Sequence, residues 1–100
     1  MKRKPYRFHR QADAEFAEAA AHYAAISPEL GQRFYVTITE LLDEICTAPT
    51  RYRMILPPAR RHFRLPFPYA VIYLDRPEYV WVIAVSPFKR EPGYWHERLA

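Results

Sequence analysis

The sequence predicts an α+β fold with the element order β-α-α-β-β-β, in which a two-helix hairpin packs on one face of an antiparallel, twisted sheet. Two observations carry most of this prediction. Apolar residues recur every three or four positions through residues 11–48, which is typical of amphipathic helices. From residue 60 onward the period changes to two, which is typical of strands. The 100 residues fit a single domain, 1–100.

The chain begins with a predicted short strand and an alanine-rich helix. Tyr6 to His9 alternates ring-bearing and basic residues, which indicates the strand. Residues 11–26 then form one apolar stripe at helical spacing. Asp13 and Glu15 lie in the first turn of this helix, where the helix dipole favours anions. The stripe consists of Phe16, Ala19, Ala20, Tyr23 and Ile26.

A second helix is predicted to start directly after the first. Ser27 is a favourable N-cap, Pro28 suits the first helical position, and Glu29 adds an acid to the first turn. Apolar residues continue at three- and four-residue steps until the helix ends before Pro49. So short a connection makes the two helices antiparallel neighbours, and Gly31 would permit their close approach.

A proline-containing loop over residues 49–58 separates the helices from the first of three further strands. The alternating pattern begins at Arg60. It puts His62 and Arg64 on one face of the strand. The other face carries Arg61, Phe63 and Leu65.

Two apolar strands complete the predicted sheet. They run from Tyr69 to Leu74 and from Tyr79 to Ser86, and a turn over residues 75–78 joins them. Both strands carry apolar residues on both faces. We therefore expect them in the interior of the sheet, as part of a three-strand antiparallel meander.

The charges are unevenly distributed along the chain. The net charge is +4, from 15 Lys and Arg against 11 Asp and Glu. Most acids lie in residues 11–48, whereas most bases lie at the N-terminus, in residues 51–64 and at residues 89–90. This distribution predicts a basic face that would attract nucleic acid or an acidic protein segment. The alternative is an ordinary soluble surface.

The composition favours a cytoplasmic protein that does not use a membrane as a partner. No apolar run approaches the ~18 residues that span a bilayer. The basic N-terminus is not followed by the apolar segment of a signal peptide. The single Cys46 allows no internal disulfide, which fits a reducing compartment, and we expect it as a small buried hydrophobic residue.

Motifs distributed along the chain occur in a characteristic order and spacing. They are Glu15-Phe16-Ala17-Glu18-Ala19 with Tyr23, Leu30-Gly31-Gln32-Arg33-Phe34, Arg61, Phe67-Pro68-Tyr69 with Tyr73, Ala84-Val85, and Arg90-Glu91-Pro92-Gly93-Tyr94-Trp95 with Arg98. Taken together, over nearly the whole chain, they resemble the RelE/ParE superfamily of toxins from bacterial type II toxin–antitoxin pairs.

The resemblance implies one of two activities. RelE-like members cut mRNA in the ribosomal A site, whereas ParE-like members bind DNA gyrase and poison it without being nucleases. Either activity implies a cognate antitoxin, which we expect to be acidic, partly disordered alone and positioned over the basic sheet face. The other expected partner is the ribosome with mRNA, or gyrase. No cofactor or metal is expected, because the histidines lack metal-ligand spacing.

Ribonuclease chemistry by attack of the 2′-hydroxyl needs a base, cations that stabilise the phosphate, and an acid. Matching by position to RelE-like proteins makes His62 the candidate base, because an unperturbed histidine titrates near pH ~6.5. The same matching makes Arg64 and Arg90 the phosphate-binding cations and Tyr94 a proton donor or stacking ring. Candidates for contacts with nucleic acid or another target are Arg60, Arg61, Lys89, Trp95 and Arg98.

Each candidate also has a structural alternative. His62 would then be a half-exposed sheet histidine, and the arginines would be solvated surface charges. The two C-terminal aromatic residues, Tyr94 and Trp95, would close the core or face the antitoxin.

Two positions depart from the nuclease pattern. Ala70 occupies a strand position where RelE-like enzymes often carry an arginine, and Pro87 occupies one where many relatives carry a histidine. Three functions remain open at this point. The basic strand favours a ribosome-dependent endoribonuclease, which we place first. Ala70 and Pro87 favour a gyrase inhibitor, which ranks nearly equal, and the third is an interaction module of the same fold without toxicity.

Overall fold

A computed structural model describes residues 3–99 and has the predicted element order. A three-residue strand is followed by two helices, three strands and a short C-terminal 3₁₀ helix. These elements are β1 (Tyr6–Phe8), α1 (Arg10–Ile26), α2 (Pro28–Thr47), β2 (Arg60–Phe63), β3 (Tyr69–Asp75), β4 (Val80–Pro87) and the 3₁₀ helix His96–Leu99.

The sheet is mixed rather than wholly antiparallel, which corrects one detail of the expected architecture. Its strand order is β1-β4-β3-β2. The β2/β3 and β3/β4 pairs are antiparallel, as predicted, but β1 pairs with β4 in parallel. A parallel pair requires a crossover connection, and the intervening helical hairpin provides one. The alternation of side chains in β1 does not reveal this, because it is the same in either strand direction.

One residue both ends α1 and begins α2. The Ser27 backbone N–H donates to the Tyr23 carbonyl oxygen at 3.1 Å, and its Oγ accepts from the Leu30 N–H at 3.0 Å. Pro28 follows at the first helical position. The hairpin is tightly closed at Gly31, where an added Cβ would lie 2.7 Å from the Cα atom of Ala24. The predicted close approach of the two helices is therefore confirmed.

The sheet has an apolar layer on each face. On one face, side chains such as Val71 and Val85 pack against the helices, and Cys46 is buried there as expected. We call the other face the open face, since neither helix covers it. Its apolar layer consists of Ala59, Ala70, Ile72, Leu74, Ile83, Ala84 and Trp95. The central strands β3 and β4 contribute to both layers, which confirms their predicted interior position. None of the described helices is long and apolar enough to cross a bilayer.

Candidate functional site

His62 on β2 and Arg64, one residue beyond the end of this strand, lie on the same side of the sheet, as predicted, but that side faces α2. The His62 Nε2 atom lies 2.7 Å from Glu44 Oε1, and the His62 ring stacks on Tyr52 with a centroid distance of 3.7 Å. Arg64 donates to Glu44 Oε2 and, at 3.3 Å, to Glu40 Oε1. Both of these proposed catalytic groups are therefore engaged by carboxylates of α2.

Glu44 connects these two side chains electrostatically. Partial burial opposes ionisation of its carboxyl, but the hydrogen bonds from His62 and Arg64 prevail and lower the pKa of Glu44 below its ordinary value. The ionised carboxylate therefore holds the His62 and Arg64 side chains against the helix. This arrangement stabilises the contact between α2 and β2.

The lowered pKa of Glu44 makes a contribution to stability that disappears in acid. Because the folded-state pKa lies below the ordinary value of 4.5, the contribution is present above that pH and is lost as the pH falls through the folded-state value. Glu44→Gln should therefore show a smaller loss of unfolding free energy between neutral pH and about pH 3 than the wild type. Urea denaturation across this range measures the difference. Glu78→Gln, in an exposed turn, is the control and should retain the wild-type slope.

Arg90 and Tyr94 form a second, separate pair. The Arg90 guanidinium lies 3.8 Å above the centroid of the Tyr94 ring. The Tyr94 hydroxyl donates to Glu15 Oε2 at 2.8 Å. Burial and this hydrogen bond raise the pKa of Tyr94 to about 12. In the part of the chain described, no hydrogen bond or ring contact links this pair to His62 or Arg64.

The Arg98 side chain belongs to a partly buried polar network that we did not predict from the sequence. Its guanidinium forms two hydrogen bonds with the Glu15 carboxylate, at 3.0 and 2.9 Å, and Nη1 also donates to the Ile83 carbonyl oxygen at 2.9 Å. The Val85 N–H donates to Glu15 Oε1 at 3.0 Å. Strand β1 pairs with β4 only as far as Val82. Glu15 and Arg98 bind the backbone of the following residues, Val85 and Ile83, and so attach the C-terminal segment to the sheet.

The sequence contained one signal for this network. Glu15 follows the buried Ala12 by three positions and precedes the buried Ala19 by four, so it lies on the inward face of α1. An acid there requires a partner when the protein folds. The predicted first-turn position of Glu15 is wrong, because α1 begins at Arg10 and Asp13 is the acid of its first turn. The helix dipole therefore does not explain Glu15.

Two other candidates for target contacts, Arg60 and Trp95, form contacts within the protein. Arg60 Nη1 donates to the carbonyl oxygens of Thr50 and Tyr52, at 3.3 and 2.9 Å, and so holds the loop before β2. Trp95 is buried in the apolar layer of the open face. Three candidates remain, and none of them has a carboxylate within ion-pair distance among residues 3–99: Arg61, Lys89 and Arg90.

A cavity of about 480 Å³ lies on the open face, and we call it the open-face cavity. Arg61 and Arg90 both line it, whereas Arg64 lines a different concavity on α2. Aliphatic and aromatic side chains supply most of the remaining lining. They include Ile55, Leu56, Phe63, Ala70, Ile72, Phe88 and Trp95.

Comparison with known proteins identifies the family. A family model described as the ParE toxin of the type II toxin–antitoxin system parDE matches residues 6–92. The chain belongs to the ParE toxin family. The predicted membership of the RelE/ParE superfamily is thereby confirmed.

The fold of this ParE-family toxin is also found among solved structures. A chain from the chromosomal ParDE TA system of P. aeruginosa superposes with a TM-score of 0.73 at 14% sequence identity. The alignment covers 86% of this chain and 97% of the other. No curated protein matches the sequence.

The two departures from the nuclease pattern lie on neighbouring rows of the sheet in this ParE-family toxin. Ala70 pairs with Ser86, and Pro87 pairs with Tyr69 on the adjacent row. Both Ala70 and Pro87 line the open-face cavity. A methyl group and a proline ring therefore line the cavity at these two positions, and neither can transfer a proton.

Proposed function

We propose that this ParE-family toxin is a non-enzymatic inhibitor of DNA gyrase that its cognate antitoxin neutralises. The supporting observation is that three of the four candidate catalytic side chains are engaged by helix carboxylates. His62 and Arg64 contact Glu44, and Tyr94 contacts Glu15. This proposal reverses our sequence-based order, in which the endoribonuclease came first.

The chemistry of RNA cleavage supports the same choice. A general base and a general acid must come within hydrogen-bond reach of the reacting oxygens. The only ionisable side chains that line the open-face cavity are Arg61, Arg90 and Glu91, so the described residues place no histidine, lysine or tyrosine there. Arginine stays protonated and cannot serve as a base, so Glu91 alone could accept a proton, and the described lining supplies no histidine, lysine or tyrosine as the matching acid. A binding inhibitor has no such requirement, since it needs only a complementary surface.

A pair of assays with the purified toxin tests this proposal. We expect it to inhibit DNA supercoiling by gyrase at micromolar concentration and to leave a cell-free translation extract active. Toxin that blocks translation, yields cut mRNA and leaves supercoiling unchanged would establish the endoribonuclease instead. Toxin without effect in both assays would favour the interaction module.

A double variant tests the candidate base His62 and the candidate cation Arg64. His62→Gln with Arg64→Gln should retain the wild-type potency in the supercoiling assay within about twofold, because these side chains bind α2 rather than a target. In a nuclease that used them, a positioned base alone would contribute about 10²–10⁴-fold to the rate. Circular dichroism and a thermal melt on each preparation would show that potency is compared between folded proteins.

A further inference from the structure

The open-face cavity arises from the pattern of side-chain sizes across the sheet. Phe63, Ala70 and Ser86 form one row across β2, β3 and β4. The next row on the same face of the sheet, two residues away along each strand, consists of Arg61, Ile72 and Ala84. Three of these six side chains are small, those of Ala70, Ser86 and Ala84, whereas Phe63 and Ile72 are large. The result is a depression with an apolar floor, within the size range of ligand pockets.

The wall of the cavity includes two apolar side chains that remain about half exposed to solvent. Leu56 is 49% exposed and Phe88 is 48% exposed. Leu56 also has a backbone φ of +35°, a conformation that is strained for a leucine. Its side chain is close to Gly93, where an added Cβ would lie 3.0 Å from Leu56 Cδ1. A strained, exposed leucine beside a cavity indicates a binding role, because strain of this kind concentrates at functional sites.

The charges at the rim indicate which partner would fit. Arg61 lies 5.5 Å from the Phe63 ring centroid and Arg90 lies 3.8 Å from that of Tyr94, so aromatic rings position both guanidinium groups. Within residues 3–99, neither has a carboxylate partner, in contrast to Arg64 and Arg98. The lining also contains one acid, Glu91, so the two guanidinium groups leave a positive balance beside the apolar floor. This arrangement complements a segment that carries carboxylates next to a large apolar side chain.

We propose that the open-face cavity is the anchor site for an acidic segment of the cognate antitoxin. One large apolar side chain of that segment enters between Leu56, Phe63 and Phe88, and adjacent carboxylates bind Arg61 and Arg90. The proposal rests on the antitoxin part of the proposed function and is independent of gyrase as the target. The charge distribution of the sequence predicted only that a basic face would attract an acidic segment. The proposal names the residues that would bind it.

The cavity is better suited to a peptide than to a nucleotide base. A base would bind by stacking on an open aromatic face. The Arg61 guanidinium lies over the Phe63 ring, and Phe88 meets that ring edge-to-face, with an interplanar angle of 89°. The floor provides aliphatic groups from Ala70 and Ile72. An apolar side chain gains from such contacts, whereas a phosphate does not.

Two pairs of substitutions separate the apolar and charged parts of the proposed site. The first variant combines Leu56→Gly with Phe88→Ser. Glycine tolerates the positive φ at position 56, so this variant should fold while the cavity loses its exposed wall. The second combines Arg61→Glu with Arg90→Glu. The matched controls are Tyr35→Ser and Arg10→Glu with Arg33→Glu, at exposed positions on the helices.

Calorimetric titration of each folded toxin with the purified product of the neighbouring antitoxin gene is the test. Both cavity variants should lose affinity at least tenfold, and both controls should stay within about threefold of the wild type. The charge variant should also bind with a weaker dependence on salt concentration, whereas the apolar variant should keep the wild-type dependence. Unchanged affinity in both cavity variants, or an equal loss in the controls, would overturn the proposal.

Two further measurements identify the alternatives. If the cavity variants bind the antitoxin normally but lose binding to a single-stranded RNA oligonucleotide, the cavity is a nucleic-acid site and the proposal is wrong. If they bind it normally but no longer inhibit gyrase, the cavity is the target site and the proposal is again wrong. A third outcome is that the wild type shows no inhibition of gyrase while the cavity variants lose affinity for the antitoxin. That result would contradict gyrase as the target and would support the anchor site.

Discussion

Arg98→Met should lower the free energy of unfolding by about 3–5 kcal/mol, because it leaves the Glu15 carboxylate largely buried without a cation. The two side chains are only 10% and 17% exposed, so solvent compensates little for the loss. Methionine retains the apolar part of the arginine but cannot donate to Glu15 or to the Ile83 carbonyl oxygen. Urea denaturation at neutral pH, analysed as a two-state transition, measures the change.

Two control variants determine the origin of this effect. Adding Glu15→Gln to Arg98→Met removes the isolated charge and should restore part of the lost stability. Arg64→Met deletes an arginine that is 40% exposed, and by comparison with exposed ion pairs it should lose about 1 kcal/mol or less. Similar losses for Arg98→Met and Arg64→Met would mean that the Glu15 network contributes no more than a surface ion pair.

Gly31→Ala is the second substitution for which we expect a large effect, with a net loss of about 1–3 kcal/mol in unfolding free energy. The added Cβ would lie 2.7 Å from Ala24 Cα and 3.0 Å from Ala24 N, and these backbone atoms cannot move without displacing α1. In an exposed helix interior the same change would stabilise the protein by about 1 kcal/mol, since alanine has the higher helix propensity. The sign of the measured change therefore reports whether the helices touch at this point.

Matched variants of the hairpin distinguish packing from helix propensity. Gln32→Ala, at the next and exposed position of α2, should be nearly neutral. Ala24→Gly combined with Gly31→Ala should recover only part of the loss, because it removes the contact to the Ala24 Cβ and leaves those to the backbone. A Gly31→Ala protein more stable than the wild type would show that the two helices lie farther apart than described.

Most of the fold was predictable, because the relevant signals are local. The Ser27-Pro28 pair indicated the helical restart, and the structure confirms it through the hydrogen bond from the Leu30 N–H to Ser27 Oγ. Alternation correctly separated His62 and Arg64 from Arg61 and Phe63. The parallel pairing of β1 with β4 was missed, because strand direction depends on where the crossover places the chain.

The candidate site was less predictable, because its properties depend on contacts between distant segments. Arg98 and Glu15 are 83 residues apart in the chain, and Arg64 and Glu44 are 20 apart. No periodic pattern relates residues at such separations. Matching by position to RelE-like proteins therefore identified basic side chains without showing which of them were already occupied by carboxylates.

The sequence by itself determined the element order, the faces of the strands, the helical hairpin and, through its motifs, the superfamily. Each of these follows from interactions between near neighbours in the chain or from motifs in a recognisable order. Only the tertiary structure decided that His62, Arg64 and Tyr94 contact helix carboxylates, while Arg61 and Arg90 border an apolar cavity. The physical reason is that a side chain's charge is encoded locally, but its partner depends on which faces of helix and sheet meet when the chain folds.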